Sequence, residues 1–249
     1  KYIQEIAKLA ENNGFNVIYM DTDSIFLLLG DKKIEDVMKF VEFVNKNLPE
    51  NMELEIENFY KRGVFVEKKT KEEIGARKKY ALIDFNDRIK IRGFELVRRD
   101  WCKLARDTQR SVLEVILKEG NKEKALEIVR NKIFDLKKGN VKKEDLIIYT
   151  QLRKGKYKVT SPEFSAYEKA KKRGIKIPIG SIIGYIITKS GRSISEKSEL
   201  AQFAKDYDVD YYINNQIIPA VLKILGALGY KSEDIKYYGK QSSLEEFGD

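Results

Sequence analysis

Two aspartates, Asp21 and Asp23, stand two positions apart between two apolar runs and offer the most specific chemistry in this 249-residue sequence. The flanking runs, residues 15–20 and 24–29, are rich in residues that favour β-structure, so they predict a hairpin with the aspartates at its tip. Two carboxylates this close repel each other unless a cation relieves the repulsion. The tip therefore predicts a divalent-metal site with oxygen ligands, for which Mg²⁺ or Ca²⁺ is the natural ion.

Two other interpretations of the acidic tip compete with a metal site. An EF-hand loop is excluded, because Phe26 stands where that loop needs glycine and Lys32 where it needs the closing glutamate. The simpler alternative is that aspartate and threonine are good turn formers and do nothing more. For an isolated Asp-Thr-Asp-Ser tetrapeptide, this simpler alternative is the stronger one.

The residue types that the sequence lacks exclude several classes of site. It has no histidine and a single cysteine, Cys102. A zinc cluster, an internal disulfide, a Ser-His-Asp triad and an HExxH metalloprotease site are all excluded. No apolar run reaches the roughly 18 residues that cross a membrane, and no signal-peptide pattern is present. We therefore expect a cytoplasmic protein without a membrane partner.

Positive charge is concentrated in two stretches of the chain. The formal net charge is +9, and residues 61–110 hold 16 Lys and Arg against 8 Asp and Glu. Residues 153–173 hold 8 Lys and Arg against only Glu163 and Glu168. Two basic stretches suit a long polyanion such as a nucleic acid, because each neutralised phosphate releases condensed counterions. A solvated, lysine-rich surface of a heat-adapted protein explains the charge equally well.

Hydrophobic periodicity predicts an α+β protein. Helical spacing at residues 3–10 and 34–48 places one helix before the acidic hairpin and one after it. Short strands are predicted at residues 63–67, 79–83 and 90–93, with a turn at Asn86 and Asp87. Helices dominate the rest of the chain, at residues 100–118, 122–136, 162–173 and 210–228. Residues 180–188 predict one buried strand near Ile186.

The acidic tip also carries a family resemblance. Residues 19–24, Tyr-Met-Asp-Thr-Asp-Ser, with the helix before them and the apolar strand after them, resemble the YxDTDS motif of family B DNA polymerases. The resemblance implies a palm hairpin in which Asp23 coordinates two Mg²⁺ ions for nucleotidyl transfer, with Asp21 close beside the inner shell. The residues that would support this site are Tyr19, Thr22 and Ser24. A reverse transcriptase is a weaker match, because its motif has adjacent aspartates and Thr22 separates them here.

Two basic segments continue the resemblance. Residues 77–80, Arg-Lys-Lys-Tyr, are similar to the family's KKxY element, with arginine in place of the first lysine, and residues 92–101 are similar to its RGxExVRRDW stretch. The first implies contact with the minor groove and backbone of primer–template DNA, which checks base pairing without reading sequence. The second leads into the family's thumb, where the helix face that follows it could run along a phosphate backbone. The implied DNA-contact residues are Arg77, Lys78, Lys79, Tyr80, Arg92, Gly93, Arg98, Arg99, Lys103 and Arg106. Arg110 continues this basic face, and Trp101 is a predicted core residue.

The resemblance covers almost the whole chain, since residues 210–220 resemble the DxxYYIxxQxxPA helix of archaeal members. It implies an α+β fold in which the C-terminal part of a polymerase palm, made of antiparallel strands with helices, is followed by a mainly helical thumb. The predicted domains are residues 1–75 as palm, 76–238 as thumb and 239–249 as a flexible tail. The composition shift near Ala76 sets the boundary.

The tail carries a short peptide motif. Gln241, Leu244 and Phe247 fit the QxxLxxF core of the peptide that docks on sliding clamps, with Gly248 where a second aromatic residue is usual. One helical turn would place Leu244 and Phe247 in an apolar pocket of the clamp. The sequence therefore predicts a sliding clamp as a partner, bound weakly because the second aromatic residue is missing.

Several parts of a family B polymerase precede this hairpin in full-length members: the other palm carboxylate, the fingers helix that grips the incoming dNTP, and the proofreading exonuclease. The resemblance therefore implies that the chain is active only with an N-terminal polymerase part, either cut from the same chain or encoded as a large subunit. We expect the small subunit of a split archaeal polymerase, associated with the nucleoid. The competing hypothesis is a non-catalytic DNA-binding and clamp-tethering module, against which the intact Asp21 and Asp23 argue.

Overall fold

In the computed structural model, which describes residues 2–66, 79–153 and 161–236, the chain folds as two units, Lys1–Arg88 and Ile89–Asp249. Both units combine helices with antiparallel strands, so the predicted α+β fold class is confirmed. The predicted domain boundary near Ala76 lies outside the described residues and stays a prediction. None of the helices in the described ranges is long and apolar enough to cross a lipid bilayer.

The acidic hairpin is the centre of the first unit. Helix α1 (Tyr2–Asn12) leads into strands β1 (Asn16–Met20) and β2 (Ile25–Leu28), and helix α2 (Ile34–Asn47) follows them. This order is the predicted one. Apolar side chains from all four elements share one core, whose members include Ile6, Ala10, Phe15, Val17, Ile25, Leu27, Phe40 and Val44. The core fixes the hairpin because both helices pack against it.

A β-bulge interrupts the hairpin. The register passes from Val17 opposite Leu27 to Tyr19 opposite Phe26, which leaves Ile18 as the extra residue. A bulge bends the strand and increases its local twist. Tyr19 and Phe26 lie as direct neighbours, with their ring centroids 5.8 Å apart.

A second pair of strands in the first unit is formed by β3 (Tyr60–Phe65) and β4 (Tyr80–Asp84), which run antiparallel. Every residue of β4 is buried. The carboxylate of Asp84 closes the turn after β4, since it accepts hydrogen bonds at 2.8 Å from the backbone N–H groups two and four residues later. The predicted turn at Asn86 and Asp87 is confirmed, and Asp87 adopts a left-handed φ of 61°, which aspartate tolerates better than most residues.

The second unit opens with a strand and two long helices. These elements are β5 (Ile89–Arg92), a 3-10 turn (Glu95–Val97), α3 (Lys103–Glu119) and α4 (Lys122–Lys138). Gly120, with a φ of 70°, ends α3 in the left-handed conformation that glycine favours. The side chain of Asn121 then caps α4 by accepting from the Lys124 N–H at 2.9 Å. Helix α3 begins three residues later than predicted, because Cys102 is extended at its N-cap.

A three-stranded antiparallel sheet interrupts the helices of the second unit. The elements of this region are a 3-10 turn (Lys143–Leu146), β6 (Ile148–Gln151), α5 (Pro162–Lys172), β7 (Ile182–Ile187), α6 (Ile194–Lys197) and β8 (Ser198–Leu200). Strand β7 lies between the other two. The sequence predicted β7 alone, and Ile186 is fully buried as expected. The sequence missed β6 and β8, which have four and three residues and are too short to show an alternating pattern.

The last described elements are α7 (Val209–Tyr211), a π-helical stretch (Tyr212–Ile217), α8 (Ile218–Ala227) and α9 (Ser232–Lys236). The single helix predicted for residues 210–228 is thus divided by the π-helical stretch. Tyr212 is fully buried there. Its hydroxyl donates to the Leu146 carbonyl at 2.9 Å and accepts from the Ile187 N–H at 3.2 Å. This side chain therefore joins the C-terminal helices to the sheet.

Candidate functional site

The acidic tip is a four-residue turn, residues 21–24, that closes the hairpin of β1 and β2. The Asp21 N–H donates to the Ser24 carbonyl at 2.9 Å. Oδ1 of Asp21 accepts two hydrogen bonds from Thr22, one from the backbone N–H at 2.6 Å and one from the hydroxyl at 3.0 Å. One carboxylate oxygen of Asp21 is therefore used to fix the turn.

Asp23 differs from Asp21 in its exposure. Its side chain is exposed at the tip, whereas that of Asp21 is partly buried. The oxygen atoms at this turn that could bind a metal ion belong to carboxylates, hydroxyls and main-chain carbonyls, and such hard oxygen ligands suit Mg²⁺. Within the described ranges, no cluster of three or more acidic, histidine or cysteine side chains has an arrangement that could hold a metal. The tip thus combines one outward carboxylate with one that supports the turn.

Four aromatic rings connect this hairpin to β3 and β4. Tyr19, Phe26, Phe65 and Tyr80 all contact one another, with ring centroids 5.1 to 6.0 Å apart. Each aromatic pair is worth about 0.5–1.5 kcal/mol beyond the area it buries. We call these four side chains the aromatic cluster. It ties the strand that ends at the acidic tip to the strand that begins with Tyr80.

The predicted contact residues of the basic strand are only partly described. Arg77 and Lys78 of that strand lie outside the described residues. The predicted clamp-binding residues of the tail, Gln241, Leu244 and Phe247, also lie outside them. The backbone carbonyl of Lys79 accepts from the Val66 N–H at 3.0 Å, which places Lys79 at the start of the β3–β4 pairing. Tyr80 is only 6% exposed because the aromatic cluster covers its ring. A DNA contact by Tyr80 stays a prediction, and the ring itself is a packing element of the first unit.

The second unit presents the other predicted contact residues. Arg92 is exposed at the end of β5 and is followed by Gly93 at a left-handed φ of 71°. Arg98 and Arg99 are also exposed. The Arg98 guanidinium donates to both carboxylate oxygens of Asp100, with 3.0 Å between Nε and Oδ1. Hydrogen bonding to Asp100 raises the pKa of Arg98 above its ordinary value, so its charge is permanent.

Helix α3 separates a basic face from an apolar one, as the sequence predicted. The apolar residues Leu104, Val112, Leu113 and Ile116 are all buried. Lys103, Arg106 and Arg110 follow at helical spacing on the other side. The Lys103 ammonium lies 2.8 Å from Asp107 and 3.2 Å from Asp145, and hydrogen bonds to these carboxylates raise the pKa of Lys103. Arg110 is exposed and Arg106 is only partly exposed, so Arg110 carries most of the unpaired positive charge that this face presents to solvent.

Two neighbouring residues at the start of α3 differ in burial. Trp101 is only partly buried, and Cys102 beside it takes the core position with 0% exposure. Burial raises the pKa of the Cys102 thiol to about 12. A thiol that stays protonated is no nucleophile, so Cys102 is a packing residue.

Sequence reasoning missed two buried glutamines, Gln109 and Gln216, that hydrogen-bond to the backbone on either side of Arg98 and Arg99. A signal for them was present in the sequence. Gln109 stands four residues after Ala105 and three before Val112, on the apolar face of α3. A buried amide needs hydrogen-bond partners, so a glutamine at a core-facing position indicates a polar contact to look for.

Comparison with known proteins adds an independent finding. Residues 1–228 match the family model described as DNA polymerase family B. The DNA polymerase of Methanocaldococcus jannaschii is 46% identical over 99% of this chain, and that of Pyrococcus glycovorans is 41% identical over 98% of it. The solved family B DNA polymerase from the hyperthermophilic archaeon Pyrobaculum calidifontis superimposes on 92% of this chain with a TM-score of 0.71 and 34% identity. This chain spans 15%, 32% and 29% of the lengths of these three proteins, respectively.

Proposed function

Because this chain belongs to DNA polymerase family B, we propose that it supplies the C-terminal part of the palm and the thumb of a DNA-directed DNA polymerase. The substrates of this activity are primer–template DNA and dNTPs, and the proposed localisation of the protein is the nucleoid. The acidic turn supports the proposal best, since Asp21 fixes the turn through Thr22 while Asp23 is exposed at the tip.

Asp23 is the proposed direct ligand of Mg²⁺, with Asp21 as its neighbour. Magnesium ions bound there would activate the primer 3′-hydroxyl and neutralise charge on the leaving pyrophosphate. The role of this chain is to hold the Asp23 carboxylate in place, through the hydrogen bonds of Asp21 and through the aromatic cluster. A Mg²⁺ ion takes six oxygen ligands in near-octahedral geometry, so two carboxylates of one hairpin are only part of such a site.

The remaining ligands come, in this proposal, from an N-terminal polymerase part, which in the split form is a large subunit. The matched polymerases are much longer than this chain, which spans no more than 32% of any of the three. The first unit also exposes large apolar side chains on the hairpin and on α2. These are Ile18, Met20, Leu28, Ile34, Met38 and Phe43, each 40–54% exposed. These exposed apolar side chains support a contact of the first unit with another polypeptide.

The second unit is proposed to grip duplex DNA through its exposed arginines. We expect Arg99→Gln to weaken binding of a primer–template duplex. The slope of log affinity against log salt concentration should fall by about one, because one phosphate contact and its released counterion are lost. Fluorescence anisotropy at several salt concentrations measures both quantities. Lys223→Gln is the matched control, since Lys223 is an exposed cation of the same unit outside the predicted contact set. Identical salt dependence in all three proteins would rule out a phosphate contact by Arg99.

A sliding clamp is the proposed partner of the tail residues Gln241, Leu244 and Phe247, on the strength of the motif alone. Deleting residues 241–249 should abolish clamp binding in a calorimetric titration and leave the melting temperature of the chain unchanged. If the truncated chain bound the clamp with the affinity of the full chain, the tail would not be the docking peptide.

A further inference from the structure

Residues 95–102 form a short connection that begins with the 3-10 turn, carries Arg98 and Arg99, and ends at the start of α3. The two arginine side chains are exposed, but the backbone that bears them is tied down. The Arg98 N–H donates to the Glu95 carbonyl at 2.9 Å, and the Arg99 carbonyl accepts from the Tyr149 N–H of β6 at 3.2 Å. Two exposed arginines, of which Arg98 is ion-paired with Asp100, thus stand on a backbone with fixed hydrogen bonds.

Gln109 holds the start of this connection. It is fully buried on α3. Its Oε1 accepts from the Leu96 N–H at 3.0 Å, and its Nε2 donates to Glu95 Oε2 at 2.9 Å and to the Ala220 carbonyl. Both N–H groups and the oxygen of the amide are therefore used. One side chain joins the connection to α3 and to α8.

Gln216 holds the end of the same connection. It lies in the π-helical stretch and is 5% exposed. Its Oε1 accepts from the Cys102 N–H at 2.9 Å. Cys102 is the N-cap residue of α3. The contact therefore fixes the point at which the connection becomes helix, and π-helical turns often occur where a side chain has such a special task.

Packing alone does not explain these two glutamines. A buried amide is costly unless all of its hydrogen bonds are made, and leucine would fill a similar volume without that cost. Each glutamine instead accepts one hydrogen bond from a backbone N–H of the same connection, Gln109 from Leu96 and Gln216 from Cys102. The common target is the backbone conformation of residues 95–102.

We infer that Gln109 and Gln216 are positioning residues that hold this backbone so that Arg98 and Arg99 meet DNA phosphates in a fixed geometry. The inference rests on the proposed function, because it requires these arginines to contact DNA. Exposures of 0% and 5% leave the two glutamines no surface with which to touch DNA themselves. Their effect on DNA binding must therefore pass through the arginines.

A double-mutant cycle on primer–template affinity tests the inference. We expect Gln216→Leu to weaken binding about fivefold and Arg99→Ala about tenfold. The double variant should weaken binding clearly less than the roughly fiftyfold expected for independent effects, because a misplaced backbone no longer acts through Arg99 once that side chain is gone. Gln216→Glu keeps an acceptor for the Cys102 N–H and should restore most of the affinity. Thr108→Val is the control for a lost buried hydrogen bond, since the Thr108 hydroxyl donates to the Leu104 carbonyl of the same helix.

The possible results separate this inference from the proposed function. Wild-type affinity in Arg99→Ala would remove the DNA contact itself, and the inference with it. Two results would overturn the inference but not the DNA contact, provided that Arg99→Ala binds weakly. One is a double variant whose loss equals the product of the two single losses, about fiftyfold. The other is wild-type affinity in Gln216→Leu. If circular dichroism shows that Gln216→Leu is unfolded, Gln109→Leu takes its place in the same cycle with the same expected coupling. A loss in Thr108→Val as large as that in Gln216→Leu would also count against a positioning role.

Discussion

Replacing Asp23 with asparagine is expected to slow nucleotide incorporation by about a thousand-fold or more when the chain is combined with the proposed N-terminal polymerase part. Asparagine has nearly the volume of aspartate but lacks the negative charge that a Mg²⁺ ligand supplies. Because Asp23 is exposed at the hairpin tip, the substitution removes no core contact, and the melting temperature should not change. Single-turnover primer extension measures the rate, and circular dichroism measures the melting temperature.

The matched control is Asp21→Asn, two residues away on the same turn. The asparagine oxygen can still accept both hydrogen bonds from Thr22, so the turn is kept. We expect a loss of only about 10–100-fold, the size typical of residues that support a metal ligand. Full activity in Asp23→Asn would show that Asp23 is no direct ligand. A larger loss in Asp21→Asn than in Asp23→Asn would exchange the two roles.

Replacing Tyr80 with alanine should destabilise the chain by about 3–4 kcal/mol. The side chain is 6% exposed, and its ring contacts those of Tyr19, Phe26 and Phe65. Tyr80→Phe keeps the ring and removes only the hydroxyl, so its effect on stability should stay below about 1 kcal/mol. Urea denaturation followed by circular dichroism measures both values. The affinity of Tyr80→Phe for primer–template DNA then reports on the predicted minor-groove contact alone.

Phe85→Ala is the control for the loss of an aromatic ring. Phe85 directly follows β4 but is 70% exposed, so its removal should change the free energy of unfolding by less than about 0.5 kcal/mol. If Tyr80→Ala unfolded at the same urea concentration as Phe85→Ala, the aromatic cluster would not hold the first unit together. Wild-type DNA affinity in Tyr80→Phe would remove the hydroxyl from the proposed DNA contacts.

Under the proposed function, the aromatic cluster would bear on chemistry as well as on stability. A metal ligand must keep its position within a fraction of an ångström to support catalysis, and a two-stranded hairpin alone is marginally stable in water. Tyr19 stands two residues before Asp21 and contacts rings on β3 and β4. The cluster therefore braces the strand that leads into the acidic turn.

The local parts of this fold were readable from the sequence. Apolar spacing in α1 and α2 and the turn residues between β1 and β2 specify the helix–hairpin–helix order without help from distant residues. The same holds for the two faces of α3, where Leu104 and Val112 point inward and Arg110 outward. Motif spacing singled out Asp21 and Asp23, but only the folded structure separates the aspartate that bonds to Thr22 from the one exposed at the tip.

The features that the sequence hid depend on distant partners. Strand β8 has three residues and is recognisable only through its pairing with β7. The aromatic cluster joins Tyr19 to Tyr80 across some sixty residues of chain, and Gln216 bonds to Cys102 across more than a hundred. No periodicity encodes such pairs, because each is created by tertiary packing. The division of the helix at residues 210–228 by a π-helical stretch is hidden for the same reason.

Primer extension by this chain alone, by the N-terminal polymerase part alone and by the two together tests the central claim most directly. The assay contains a labelled primer–template, dNTPs and Mg²⁺. We predict template-directed extension only in the combined sample. Extension by this chain alone, or no more extension in the combined sample than with the N-terminal part, would contradict the claim that this hairpin completes a polymerase active site.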